Sequence, residues 1–123
     1  HDRDALALLQ QNRERFHAYN LRMLEGTAPQ VLSGLPAPDA VFVGGSSGQL
    51  SDILQSVHSS NPRARICVSA IALETLHAAY QALAALGYQV EVVQLSVSRA
   101  RPTGTLHLLL ANNPVFLLTG VPK

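Results

Sequence analysis

The sequence predicts an α/β fold around a mainly parallel sheet, and three observations carry that expectation. Two short runs, residues 40–43 and 65–69, have the composition of strands buried on both faces, as parallel strands are. Stretches with apolar residues at three- and four-residue spacing alternate with such runs along most of the chain. After residue 97 the alternation stops, and two β-prone stretches follow without a helix, which predicts an antiparallel edge. The chain has 123 residues, enough for one domain, read as residues 1–123.

The elements follow in order. Residues 2–18 read as an amphipathic helix with Leu6, Leu9, Arg13 and Phe16 on one stripe, widened by Ala5 and Leu8. Asp2 and Asp4 fall in its first turn, where the helix dipole favours negative charge. Tyr19-Asn20 ends it, and residues 21–25 are a short strand stopped by Gly26. Residues 27–35 suit one or two helical turns, with Thr27 as N-cap and Pro29 near the first position. Pro36-Ala37-Pro38-Asp39 is a tight connection into the strand at 40–43. The helix at 49–57 repeats Leu50, Ile53, Leu54 and Val57. Pro62 precedes the strand at 65–69. Residues 70–86 form the clearest helix, with Leu73, Leu76, Tyr80, Leu83 and Leu86 on one stripe and Gly87 at the C-terminal cap. Residues 88–97 are a long strand, and 99–104 a polar turn or loop. Residues 106–110 and 115–121, joined by Asn112-Asn113-Pro114, are expected to pair as a hairpin at the sheet edge.

Composition excludes several classes. A hydrophobic fraction of 47% supports a packed core, and a net charge of +1 lacks the basic excess of a nucleic-acid binder. No apolar window is long enough for a membrane-spanning helix. Cys67 is the only cysteine, which rules out an internal disulfide and a cysteine-rich zinc site and points to a reduced, cytoplasmic setting. It reads as a small core residue. The five histidines include no pair at the four-residue spacing of a helical metal site, so no metal is expected. The N-terminus His1-Asp2-Arg3-Asp4 has neither a secretory signal nor an initiator Met, and the chain is read as a fragment or a processed product.

Chemistry is expected at strand ends. Gly44-Gly45-Ser46-Ser47-Gly48 lies between a buried strand and a helix, where small residues let a ligand approach the backbone. It is not a phosphate-binding P-loop, because Gln49 stands where a lysine is needed. Gly26-Thr27-Ala28, in the other strand-end loop, is a weaker candidate for lying against a ring such as adenine, and a plain turn is the competing reading. Glu74 near the start of the long helix reads first as a dipole-favoured surface carboxylate. Arg99 and Arg101 could clamp carboxylates, against the plainer reading of solvated loop charge.

Read together, Leu24-Glu25-Gly26-Thr27-Ala28-Pro29, the run from Ala40 to Gly48, Val68-Ser69-Ala70-Ile71-Ala72-Leu73-Glu74-Thr75, Gln94-Leu95-Ser96-Val97-Ser98-Arg99 and Asn113-Pro114-Val115 form a recognisable series. The chain resembles the cobalamin-pathway methyltransferases that methylate C15 of a precorrin and decarboxylate its C12 acetate. These stand alone or form the C-terminal half of precorrin-6Y C5,15-methyltransferases. The resemblance implies a class I S-adenosylmethionine-dependent methyltransferase sheet (Rossmann-like) with an antiparallel last strand. It places S-adenosylmethionine against Gly26, Thr27, Ala28, Gly44 and Gly45. A tetrapyrrole substrate then falls to Ser46, Ser47, Gly48, Glu74, Arg99 and Arg101, and the assembly is a homo-oligomer, a tetramer in the family. It names no catalytic acid or base. Aligned this way, the chain starts after the family's first two strands, without its glycine-rich loop and ribose-binding acid. Weak donor binding by the chain alone is therefore expected, with open strand edges that either close on each other or associate. Thr27 stands where relatives often carry Asp. Two other readings stay open: a class I methyltransferase with a different substrate, and a catalytically silent assembly module.

Overall fold

The computed structural model describes residues 3–46 and 48–123 and divides into two compact units, His1–Leu35 and Pro36–Lys123. Asp2 and Ser47 lie outside the described residues.

The first unit holds helix α1, Arg3–Arg15, and a 3₁₀ turn, Gln30–Leu32. The helix forms where its periodicity predicts, with Asp4 in the first turn, Arg13 and Arg15 in the last, and Gln10 donating to Glu14 one turn on at 3.0 Å. No residue of α1 is buried, and Phe16 is 69% exposed. About 35 residues are too few to enclose a core of their own. Residues 21–25 are not a strand, contrary to their β-prone pattern: a strand needs a partner's backbone groups, and none pairs with them. Thr27 is likewise not a side-chain cap. Its carbonyl accepts from the Val31 N–H at 3.0 Å, and the short 3₁₀ turn follows Pro29.

The second unit is a four-stranded sheet with two helices and a separate hairpin. Its strands are β1 (Ala40–Val43), β2 (Arg65–Ala70), β3 (Tyr88–Leu95) and β6 (Val115–Pro122), in the order β1-β2-β6-β3. β1 and β2 are parallel, with Val43 opposite Val68. β6 runs antiparallel to both of its neighbours, β2 and β3. β1, β2 and β3 therefore share one direction, as right-handed crossovers through α2 (Leu50–Ser60) and α3 (Leu73–Ala85) require. The antiparallel last strand is as expected, but its place is interior. The expected hairpin of residues 106–110 with 115–121 does not form, and β6 returns between β2 and β3 instead. β1 pairs with β2 alone among the described strands.

The core lies on one face of this sheet. It is made of Ile66, Val68 and Leu118 of the sheet, Leu50, Ile53, Leu54 and Val57 of α2 and Ala79 and Leu83 of α3, all buried. Gly120 admits this packing: a Cβ there would stand 3.1 Å from Leu83 Cδ2 and 3.3 Å from Tyr88 Cγ. The other face carries Phe42, 64% exposed, and Cys67, half-buried, with Thr119 Oγ1 4.0 Å from its sulfur. β1 and β2 are thus buried on one face, not two, and Cys67 lies at the margin of the core. On α3 the buried line runs through Ala79 and Leu83. Leu73 and Tyr80, expected on that stripe, are exposed. Gly87 ends the region with φ +86, a conformation that glycine adopts without steric cost.

Residues 99–104 are not a loop. β4 (Ser98–Thr103) pairs antiparallel with β5 (Leu106–Ala111) across Gly104-Thr105, Gly104 having φ +61. Two-residue turns with positive φ at the first position match the twist of the flanking strands, and this signal outweighed the polar composition.

Tyr88 is buried at the start of β3, and burial pushes its phenol above the ordinary tyrosine range. A raised folded-state pKa favours the protonated form. Its stability contribution is full below the unfolded value of about 10 and is lost as pH rises through the folded value. Thermal melts across that window are expected to show the loss in the parent protein and a flatter profile in Tyr88→Phe. Equal slopes would mean that the phenol stays solvated.

Candidate active site

Because β1 and β2 are adjacent and parallel, the segments after them open on the same sheet edge. After β1 the chain turns through Gly44 to Gly48, with Gln49 N–H donating to the Ser46 carbonyl at 2.8 Å. Gly48 is the third residue of that turn and has φ +81, which explains why glycine stands there. The Ile53 N–H then donates to the Gln49 carbonyl at 3.0 Å as α2 begins. After β2, Ile71 and Ala72 lead into α3, whose first turn carries Glu74 and Thr75.

Between these segments lies a cavity of about 370 Å³, lined by Gly44, Gly45, Ser46 and Gly48 from the first and Ser69, Ile71 and Thr75 from the second. A Cβ at Gly45 would meet nothing within 4 Å, so the backbone there faces open space. Among the described residues the hydroxyls of Ser46, Ser69 and Thr75 have no hydrogen-bond partner. The cavity therefore offers bare backbone and free hydroxyl groups but no charged side chain, a surface suited to holding a ligand and not to proton transfer. Among the described residues no cluster of His, Cys, Asp and Glu could hold a metal ion.

The structure gathers only part of the sequence-predicted set. Gly44, Gly45, Ser46 and Gly48 come together, while Ser47 lies outside the described residues. Glu74 is exposed and does not line the cavity; its neighbour Thr75 does. Ser69 and Thr75 were missed as site residues, although the Ser-Ala-Ile-Ala-Leu-Glu-Thr run that contains both was legible. Arg99 and Arg101 are also outside the cavity. They lie two residues apart on β4, opposite Leu110 and Leu108, and so share one face of the hairpin. In the first unit, Gly26 and Thr27 line a shallow concavity with Glu25, Gln30 and Val31, and Ala28 does not. A Cβ at Gly26 would stand 2.8 Å from Val31 Cγ2, so only glycine fits without displacing that side chain.

The family model for the precorrin methyltransferase domain matches residues 1–121. The chain belongs to this family. Among relatives of this precorrin methyltransferase domain, the cobalt-precorrin-6B C(15)-methyltransferase (decarboxylating) of Salmonella typhimurium is 39% identical over 116 residues, covering 93% of the chain and 59% of the relative. The crystal structure of precorrin-6y C5,15-methyltransferase from Geobacter metallireducens superposes with a TM-score of 0.90 at 32% identity, over 99% of the chain and 63% of that structure. The precorrin 8w decarboxylase of Methanobacterium thermoautotrophicum gives a TM-score of 0.88 at 34% identity, over 97% and 65%. The chain thus spans about three fifths of the length of the curated relatives it matches. These superpositions identify the interior antiparallel β6 as part of a Rossmann-like methyltransferase sheet.

Proposed function

We propose that the protein carrying this chain methylates C15 of a precorrin and decarboxylates its C12 acetate in cobalamin biosynthesis, with S-adenosylmethionine as donor. The observation that carries this reading is the glycine-floored cavity at the carboxyl ends of β1 and β2, in a precorrin methyltransferase domain. Gly44 and Gly45 fit a donor that must lie close to backbone, since Gly45 has open space where a side chain would project. Gly26, Thr27 and Ala28 are assigned to the adenine side. When bound, the donor supplies an electrophilic methyl group on sulfur. The chain's own part is positioning, which for a bimolecular transfer is a large share of the barrier. Ser46, Ser47 and Gly48 would border the acceptor, joined by Ser69 and Thr75 as neutral hydrogen-bonding groups. Glu74 is assigned a polar contact at the rim, and Arg99 and Arg101 the substrate's carboxylates, which their planar forks match in geometry. Calorimetric titration with S-adenosylhomocysteine tests the reading. The full-length protein is expected to bind at micromolar concentration. No binding by the full-length protein would overturn it.

The reading includes a cytoplasmic setting and a homo-oligomer. No helix among the described residues is long and apolar enough to cross a membrane. The β4–β5 hairpin supports association: every residue of both strands is exposed, Leu109 to 77%. Two strands alone are marginal in water, and exposed leucines favour burial against another copy. Sedimentation of the full-length protein is expected to show an oligomer that Leu106→Asp with Leu109→Asp dissociates. A monomeric parent, or a variant that stays associated, would remove the hairpin from the interface.

A further inference from the structure

A second cavity, about 830 Å³, lies at the opposite edge of the sheet, where Asp39 precedes β1, Arg65 opens β2, Tyr88 opens β3 and Lys123 follows β6. Since β1, β2 and β3 share one direction, this edge faces away from Gly44–Gly48. We infer that this cavity binds a phosphate-class oxyanion of charge minus two or more, held by Arg63, Arg65 and Lys123.

Charge is the first support. Three cations line the cavity against one carboxylate, Asp39, and none of the three makes an ion pair with a described residue. Guanidinium groups that line one cavity without an ion-pair partner among the described residues suit the tetrahedral oxygens of phosphate, which accept bidentate hydrogen bonds. The second support is a fixed backbone. Asn61 Nδ2 donates to the Pro38 carbonyl at 2.8 Å, and Asn61 Oδ1 accepts from the Arg63 N–H at 3.0 Å. The Ala64 N–H donates to the Asn61 carbonyl and the Arg65 N–H to the Asp39 carbonyl, each at 3.0 Å. One asparagine thus ties the turn that carries both arginines to the approach to β1, so a ligand need not order it. The third support is the wall. His58 Nδ1 lies 3.3 Å from the Tyr88 hydroxyl, with the rings edge-to-face at 5.5 Å. The contact holds the imidazole against a buried tyrosine and leaves its Nε2 without a partner among the described residues.

The test is titration of the full-length protein with inorganic diphosphate at low ionic strength, followed by calorimetry and by backbone amide shifts. Saturable one-to-one binding is expected, with shifts centred on residues 58–65 and on Tyr88. Arg63→Ala with Arg65→Ala is expected to weaken it at least tenfold at an unchanged melting temperature, since both side chains are exposed. Lys123→Glu provides an independent variant should the double substitution fail to fold, with the same direction of effect. Heat no greater than that of sodium chloride at equal ionic strength, equal affinity in the folded variants, or shifts centred on residues 44–48 would overturn the inference.

Discussion

Leu118→Ala is expected to lower the unfolding free energy by about 2–5 kcal/mol, the range for a fully buried leucine whose cavity closes only in part. Leu118 has no exposed surface. It sits on β6, opposite Val68 of β2 and Val92 of β3, so its side chain occupies the middle of the covered face of the sheet. Leu54 on α2 is equally buried, so Leu54→Ala should cost a similar amount. Because both remove packing in one core, the double variant should lose less than the sum if its cavities merge, or more if the helix detaches. Urea unfolding of the full-length protein reads the effect as a lower midpoint at constant slope. A loss under about 1 kcal/mol for either single change would place the core elsewhere, since such values belong to surface sites.

The second large effect is on the methyl transfer proposed above. Gly45→Trp in the full-length protein is expected to reduce methyl transfer at least about 100-fold, the loss that misplacing reactants by roughly an ångström can cause. The substitution suits the purpose because a Cβ at Gly45 meets no atom within 4 Å, so an indole fills the cavity instead of disrupting the core. The melting temperature should therefore hold while S-adenosylhomocysteine binding falls. Gly48→Trp is a poorer probe, because φ +81 at that residue would add backbone strain to any blockage. Turnover unchanged in a folded Gly45→Trp variant would take this loop out of the site.

The loop from Gly44 to Gly48 was legible because its composition is local: glycine and serine between a strand and a helix state where the backbone is bare. Ser69 and Thr75 were not legible as site residues, since each is an ordinary strand or helix residue until two parallel strands bring their ends together. The polar run Arg-Ala-Arg-Pro predicts a loop for Arg99 and Arg101. The turn at Gly104-Thr105 makes it a strand and sets both arginines on one face with leucines.

By itself the sequence determined that helices lie within residues 2–18, about residues 49–57 and within 70–86, that strands lie about residues 40–43, 65–69, 88–97 and 115–121, and the family. These rest on periodicity, capping and short motifs, which act over a few residues. Tertiary structure alone decided strand order, which face was covered and whether residues 21–25 became a strand. It decided, for instance, that Val43 is buried while Phe42 beside it is exposed. The physical reason is that a strand's hydrogen bonds and a side chain's burial are supplied by segments distant in sequence. The same β-prone run becomes an interior strand, as at β6, or unpaired chain, as at residues 21–25, according to whether a partner backbone stands beside it.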